Sequence, residues 1–180
     1  MRLIIYIFFI GALIGCKKST ERYCWKSNGL IINKNININS YHNEITIYDD
    51  INLTLINDSL NFIDIQGPKN LIDLIEINQN GYNTSIKNNN KCYFLRRKEE
   101  INIQYHYKDL KLVKLEGYGS LTNTGEINHS IRIEALNSLS TISLKLNNDS
   151  IEIILQNGST EAELSGNCNY FYIYDESYAP

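Results

Sequence analysis

The chain has 180 residues, a formal net charge of −3 at pH 7 and 43% hydrophobic residues. The small net charge and the lack of a basic stripe argue against nucleic acid as a partner, and the length suits one domain. No C-x-x-C or H-x-x-x-H spacing occurs, so the sequence predicts neither a metal site nor a cofactor. Isoleucine and asparagine are the most frequent residues, which favours strands joined by turns.

The start of the chain has the pattern of a secretory signal. Arg2 supplies a positive charge, and Leu3–Gly15 is apolar. A membrane-spanning helix needs about twenty apolar residues, so this run is too short to cross a bilayer and is typical of a signal-peptide core. The run ends in "LIGC" followed by two lysines. This resembles the bacterial lipoprotein box, in which the cysteine becomes the first residue of the mature chain.

That resemblance implies a lipid anchor at Cys16. We predict that residues 1–15 are a lipoprotein signal peptide and that residues 16–29 comprise the lipidated cysteine and a polar tether. Two or three acyl chains hold a protein at a membrane essentially permanently. Lys17 stands where an aspartate would signal retention in the inner membrane. We therefore predict an outer-membrane location, with the periplasmic or external face left open.

Beyond residue 29, apolar residues alternate with polar ones at the period of a half-buried strand. Segment 70–81 instead predicts one helical turn followed by a strand. Clusters of asparagine, aspartate, serine and glycine mark turns. The alternating segments are 30–39, 44–57, 61–67 and 101–107, and the turn clusters are 57–59, 66–68, 79–81, 87–91, 147–150 and 156–158. Short strands with frequent turns predict an all-β chain.

The second half of the chain repeats about every twenty residues. Aligning Leu121 with Ile142 and Ala162 gives intervals of 21 and 20 residues. Small residues then fall in register two places earlier, at Gly119, Ser140 and Thr160. Such a repeat of strands and turns is typical of a β-solenoid, in which coils stack and small residues lie at the tight bends. A β-sandwich is the alternative that the residues alone leave open.

Five segments, in order behind the lipoprotein-like leader, resemble those of a known family. They are "ITIYDDINLTLIN", "NLIDLIEINQNG", "IKNNNKC", "LVKLEGYGSLT" and "QNGSTEAELSG". The family is the putative auto-transporter adhesin head domain, also called the GIN domain, and the resemblance extends over Cys24–Pro180. Its G-x-G-[DST]-hydrophobic turn is present at 117–121, and serines replace the glycines at 138 and 140. The resemblance implies a right-handed parallel β-helix-like solenoid, a single domain at residues 30–180.

The resemblance also implies a disulfide bond between Cys24 and Cys92, with Cys24 to Cys168 as the competing pairing. A bridge closing a loop of about 69 residues would stabilise the fold by roughly 4 kcal/mol. Family members continue past a segment like "YIYDESYAP" with a further strand, whereas this chain stops at Pro180. We expect a truncated last coil; the alternative is an exposed coil edge that meets a partner.

For function, the resemblance implies a lipid-anchored envelope protein with an adhesin-like binding or structural surface. Its partners would be the membrane, through the lipid, and an unidentified glycan or envelope or host protein; a signalling accessory role is not separable from this. Tyr170, Tyr172 and Tyr174 alternate in "NYFYIYDESY" and would form an outward ladder for sugar stacking. The alternative is that these tyrosines only cover a strand surface.

An enzyme is the alternative function, because parallel β-helices include polysaccharide lyases and hydrolases. Hydrolysis would need two carboxylates facing each other across a groove. The acidic candidates are Asp49, Asp50, Asp64, Asp73 and Glu76. No nucleophile–base–acid set is recognisable, so we predict no catalytic residues and no catalysis.

Overall fold

The computed structural model of the protein describes residues 26–91 and 99–177. The prediction of an all-β single domain is confirmed, and the helical turn and strand predicted at 70–81 are α1 and β4. No described helix is long and apolar enough to cross a membrane. The elements are β1 (Ile31–Asn37), β2 (Glu44–Asn57), β3 (Phe62–Pro68), α1 (Lys69–Ile72), β4 (Ile75–Asn80), β5 (Asn83–Asn88), β6 (Asn102–Tyr107), β7 (Leu112–Thr124), β8 (Ile131–Leu136), β9 (Leu139–Gln156) and β10 (Glu161–Glu176).

These strands form one open sheet in the order β1-β3-β6-β2-β7-β8-β9-β10, with β5 and then β4 branching from β2. The branch divides the sheet into two faces, because Glu44–Tyr48 pairs with β5 and Asn52–Asn57 pairs with β6. The first face contains segments 44–48, 112–116, 131–136, 151–156 and 170–176, and the second face contains 51–57, 118–124, 139–148 and 161–168.

The core comprises the inward apolar side chains of both faces, and β9 shows how one strand serves both. Burial in β9 falls on even-numbered residues from Ser140 to Asn148 and on odd-numbered residues from Ile151 to Leu155. Since side chains alternate along a strand, this change of phase marks a corner where β9 passes from the second face to the first. The turn predicted at 147–150 is therefore wrong: the chain bends there inside a continuous strand.

The twenty-residue repeat is confirmed by the strand register. Leu121 pairs with Ile142, and Ile142 pairs with Ala162. Gly119 likewise lies beside Ser140. Parallel pairing links β2, β7, β8, β9 and β10 and also joins β5 and β6 to β2, whereas β3 pairs antiparallel with β1 and β6, and β4 pairs antiparallel with β5. The stacked coils thus occupy the second half of the chain and the antiparallel strands lie at the other end of the sheet.

The corner at Gly119 has no room for a side chain. A Cβ atom on this residue would lie 2.0 Å from the carbonyl oxygen of Ile51, and the residue has φ +118°. Asp49, on the neighbouring strand, has φ 66° inside β2. In the next coil the hydroxyl of Ser138 donates to the carbonyl oxygen of Gly117 at 3.3 Å. Glycine is therefore required at 119, whereas one coil later a serine side chain bonds the backbone of the neighbouring strand.

Candidate functional site

The three predicted tyrosines lie on the last strand of the first face. Tyr170, Tyr172 and Tyr174 alternate along β10, so their side chains share one side of the sheet. They are 75%, 55% and 41% exposed, respectively. We call this set the tyrosine face. Phe171 and Ile173 point to the opposite side and are also exposed, because no described strand follows β10.

The tyrosine face borders a groove of about 650 Å³ at the start of the first-face ladder. Most of its lining comes from three successive coils, since Arg132 pairs with Glu152 and Glu152 pairs with Tyr172, and the coil before them adds Lys111. The hydroxyls of Ser130 and Ser150 bond each other at 2.8 Å. The lining residues are Lys111, Ser130, Ile131, Arg132, Ser150, Ile151, Glu152, Tyr170, Phe171 and Tyr172. We call this the terminal groove.

A chain of ion pairs begins in the polar lining of the terminal groove and extends beyond it. Arg132 bonds Glu134 through Nε at 2.8 Å and Glu152 through Nη1 at 3.4 Å. Lys114 Nζ lies 3.2 Å from the second carboxylate oxygen of Glu134. The guanidinium of Arg132 and the carboxylate of Glu152 thus lie paired in the same lining as Tyr170 and Tyr172. Aromatic faces next to positioned polar groups are the usual features of a small-ligand site.

The far end of the tyrosine face is also hydrogen-bonded. Tyr174 bonds the carboxylate of Glu176, which raises the pKa of Tyr174 above its ordinary value, first through that bond and then through the negative charge. The amide of Gln156 donates to the same carboxylate at 3.1 Å.

The acidic candidates for hydrolysis lie elsewhere, and two of them accept hydrogen bonds from asparagine side chains. Asp64 accepts a bond from Asn35 Nδ2 at 2.7 Å. Glu76 accepts bonds from Asn78 and Asn89 at 2.9 and 3.0 Å, which lower the pKa of Glu76. These contacts are those of surface carboxylates that stabilise neighbouring loops and strands.

Asp49 and Asp50 line a second groove of about 410 Å³ at the corner of β2, together with Lys87, the loop 88–91 and Tyr118. Asp73 is exposed beyond α1. Both aspartates lie inside β2, within the segment 44–57 for which alternation predicts a strand. Sequence reasoning did not find the groove, because Tyr118 lies far along the chain in β7.

A histidine cluster was also missed. His106 Nδ1 lies 3.0 Å from Asp58 and its Nε2 lies 3.8 Å from Asp64, while Phe62 stacks on the imidazole at 3.8 Å between centroids. The hydrogen bond from His106, followed by one from the Ser59 amide, lowers the pKa of Asp58. Within 26–91 and 99–177, no group of three histidine, cysteine, aspartate or glutamate side chains is placed to hold a metal.

The predicted lipidation site Cys16 and the predicted disulfide partners Cys24 and Cys92 lie outside the described residues. Cys168, the alternative partner of Cys24, is a free thiol on β10 whose Sγ donates to the carbonyl oxygen of Tyr170 at 2.9 Å. The pairing of Cys24 with Cys92 stays a prediction.

Comparisons with known proteins agree with this architecture. The model of the family described as putative auto-transporter adhesin, head GIN domain, matches residues 41–177. The crystal structure of a putative adhesin from Parabacteroides merdae is similar, with a TM-score of 0.55, 16% identity and coverage of 82% of this chain and 78% of that one. One from Parabacteroides distasonis has a TM-score of 0.55, 18% identity and coverage of 78% and 67%. At these identities the likeness concerns the fold. No curated protein matches the chain.

Proposed function

The chain belongs to the family of the putative auto-transporter adhesin head GIN domain, and from that membership we propose that it is a non-catalytic, adhesin-like binding module of the cell envelope. The observation that carries the proposal is the tyrosine face beside the terminal groove. Three exposed rings on one side of a strand present flat apolar surfaces, and the charged lining supplies hydrogen-bonding groups next to them. This combination suits a glycan, whose sugar rings stack on aromatic side chains while their hydroxyls bond polar groups.

The proposal includes a lipid anchor at Cys16, a signal peptide at 1–15 and an outer-membrane location. The sheet order supports the orientation this requires. The first described strand, β1, lies at the opposite end of the sheet from β10, and six or seven strand spacings separate them by roughly 30 Å. A tether entering at β1 would hold the tyrosine face away from the membrane, where it is accessible to a ligand.

We further propose that the stacked coils form a right-handed parallel solenoid and that Cys24 and Cys92 are bridged. The bridge is supported by contacts of nearby residues. Asn28 Nδ2 donates to Glu99 Oε1 at 3.0 Å, so the segments that follow the two cysteines meet. Cys168 lies on β10, at the far end of the sheet from Asn28, which disfavours the competing pairing.

A glycan array with the purified full chain tests the binding function. Tyr170→Ala and Tyr172→Ala should each weaken binding about tenfold, since each removes one stacking ring. Tyr82→Ala is the matched control, because Tyr82 is 65% exposed and lies in the turn before β5. Equal binding by all variants, or binding to no glycan at all, would contradict a glycan-binding tyrosine face.

Protease treatment of intact cells tests the location. Loss of the protein would support surface display, and protection would place it in the periplasm, which contradicts an adhesin. A Cys16→Ala variant should leave the membrane fraction. If that variant stayed membrane-bound, the lipid anchor would be wrong.

A further inference from the structure

The outer edge of β10 has free hydrogen-bonding groups. Within the described chain β10 pairs only with β9, although it is 16 residues long. The carbonyl oxygen of Glu176 accepts a bond from the Asn157 amide, on the β9 side. Backbone groups of successive strand residues point to opposite edges. Those of Phe171, Ile173 and Asp175 therefore face the open edge, where such a row of groups is a template for another strand.

The side chains at this edge have the apolar composition of a binding interface. Residues 170–174 are all aromatic or aliphatic and between 41% and 75% exposed. No charged residue occurs from Leu164 to Tyr174. Protected edge strands carry lysine, proline or a short length, and this segment has none of these.

The same segment is self-complementary. It consists of Tyr170, Phe171, Tyr172, Ile173 and Tyr174, which is nearly palindromic about Tyr172. When two copies pair antiparallel about a two-fold axis at Tyr172, Tyr170 lies opposite Tyr174 of the second copy and Phe171 lies opposite Ile173 of the second copy. Aromatic and aliphatic pairs across strands are favourable. Because Phe171 and Ile173 have their backbone groups at the free edge, this register also forms the hydrogen-bonded pairs of an antiparallel ladder.

We propose that the free edge of β10 binds the same edge of a second copy of this chain, with the two-fold axis at Tyr172. Pairing covers Phe171 and Ile173 on the inner side and leaves the tyrosine face on the outer side, doubled in width. This register also avoids charge repulsion, because the nearest charged residue, Asp175, lies opposite Asn169 of the second copy. The inference is independent of which ligand the tyrosine face binds.

Pairing with a different edge of the branched sheet, β1 or β4, would instead give an open-ended polymer. β1 is disfavoured because it has only seven residues and Lys34 at its middle. A short self-pairing segment predicts a weak, reversible dimer, which calls for covalent trapping.

Disulfide trapping of the full chain in detergent, in a Cys168→Ser background, tests the register. Tyr172→Cys should form a cross-linked dimer, because facing residues at a non-hydrogen-bonded position have Cα atoms about 4.5 Å apart. Tyr170→Cys alone should not form a cross-linked dimer, since the Cα atoms of position 170 in the two copies would be roughly 13 Å apart. An equal mixture of Tyr170→Cys and Tyr174→Cys should cross-link. A different pattern, no cross-link, or dimer formation by the background chain alone would overturn the proposal.

Sedimentation of the chain with its native residues gives a second readout. Tyr172→Lys places two positive charges opposite each other and should weaken the dimer by roughly tenfold or more. Tyr118→Lys is the matched control, since Tyr118 is 58% exposed on β7, and should leave the dimer unchanged. Species larger than a dimer, or equal behaviour of both variants, would contradict the two-fold contact.

Discussion

The two ends of the sheet differ in how they meet solvent. At the first end, β1 is short, its exposed residues are mainly asparagine and Lys34, and α1 packs Leu71 and Ile72 into the core. At the other end, β10 is long, and its inward residues Phe171 and Ile173 remain 55% and 46% exposed. α1 covers part of the first end, where Leu30 and Ile31 nevertheless stay 84% and 68% exposed. The second keeps an aromatic surface in solvent, which is unusual unless that surface binds something.

This comparison shows that the same repeated sequence pattern gives a buried or an exposed surface, depending on whether a further strand covers it. Ile131, Ile151 and Phe171 occupy the same rung position in successive coils. The first two are buried, and Phe171 is exposed because it lies in the last described coil. Alternation predicts which way a side chain points, but burial also requires a covering coil.

Breaking the stack between the two ends should have the largest effect. Gly119→Ala places a methyl group 2.0 Å from the Ile51 carbonyl oxygen at φ +118°, so we expect a loss of more than about 3 kcal/mol of unfolding free energy. Gly125→Ala is the control, because Gly125 has φ +77° but open space around it, and should cost about 1 kcal/mol. Urea unfolding measures both. Equal losses of unfolding free energy in the two variants would show that the close approach of Gly119 to Ile51 does not affect stability.

Truncating one isoleucine at each end of the sheet compares how well the two ends are shielded from solvent. Ile72 is fully buried, so Ile72→Ala should cost about 3 kcal/mol. Ile173→Ala should cost less than about 1 kcal/mol in dilute protein, because the side chain is already half in water. Denaturation at low protein concentration measures the pair. A larger loss for Ile173→Ala would contradict an open second end.

Alkaline pH should act chiefly on the first end. Burial raises the pKa of Tyr105 and of Tyr107 to about 12 from the ordinary 10. Their contribution, roughly 2–3 kcal/mol each, is therefore complete below pH 10 and lost as pH rises toward 12. Tyr107→Phe should reduce this alkaline loss by about half, whereas Tyr174→Phe should change it little because Tyr174 is exposed. Stability measured from pH 8 to 12 checks the difference.

Removing the charge at the β1 edge should change stability least and association most. Lys34→Ile should alter the unfolding free energy by less than about 0.5 kcal/mol but promote aggregation, because an edge lysine blocks strand pairing. Lys145→Ile is the matched control, since Lys145 is exposed on β9, a strand paired on both sides. Light scattering compares the two. Equal aggregation would mean that edge position has no influence.

Much of the fold was predictable because local rules govern it. The prediction at 44–57 matches β2 residue for residue, and the repeat gave the parallel register. Partners of the antiparallel strands were not predictable, since alternation specifies a face and not a neighbour. The bend at 147–150 has the sequence of a turn, because asparagine, aspartate and serine are residues that turns favour.

The tyrosine face was predictable from alternation, but its groove was not found. Arg132, Glu152 and Tyr172 are twenty residues apart and share one rung position. Extending the repeat past Ala162 would have brought them together. The His106 cluster had no such signal, because Asp58 and Asp64 reach it through the turn after β2 and the antiparallel pairing of β3.

Hydrogen exchange at two protein concentrations tests most directly whether β10 is the contact end. We predict that the amides of Phe171, Ile173 and Asp175 gain protection as concentration rises, while those of β1 do not change. The Tyr172→Lys variant should abolish that gain. Unchanged exchange in β10, or protection that appears in β1 instead, would contradict the account.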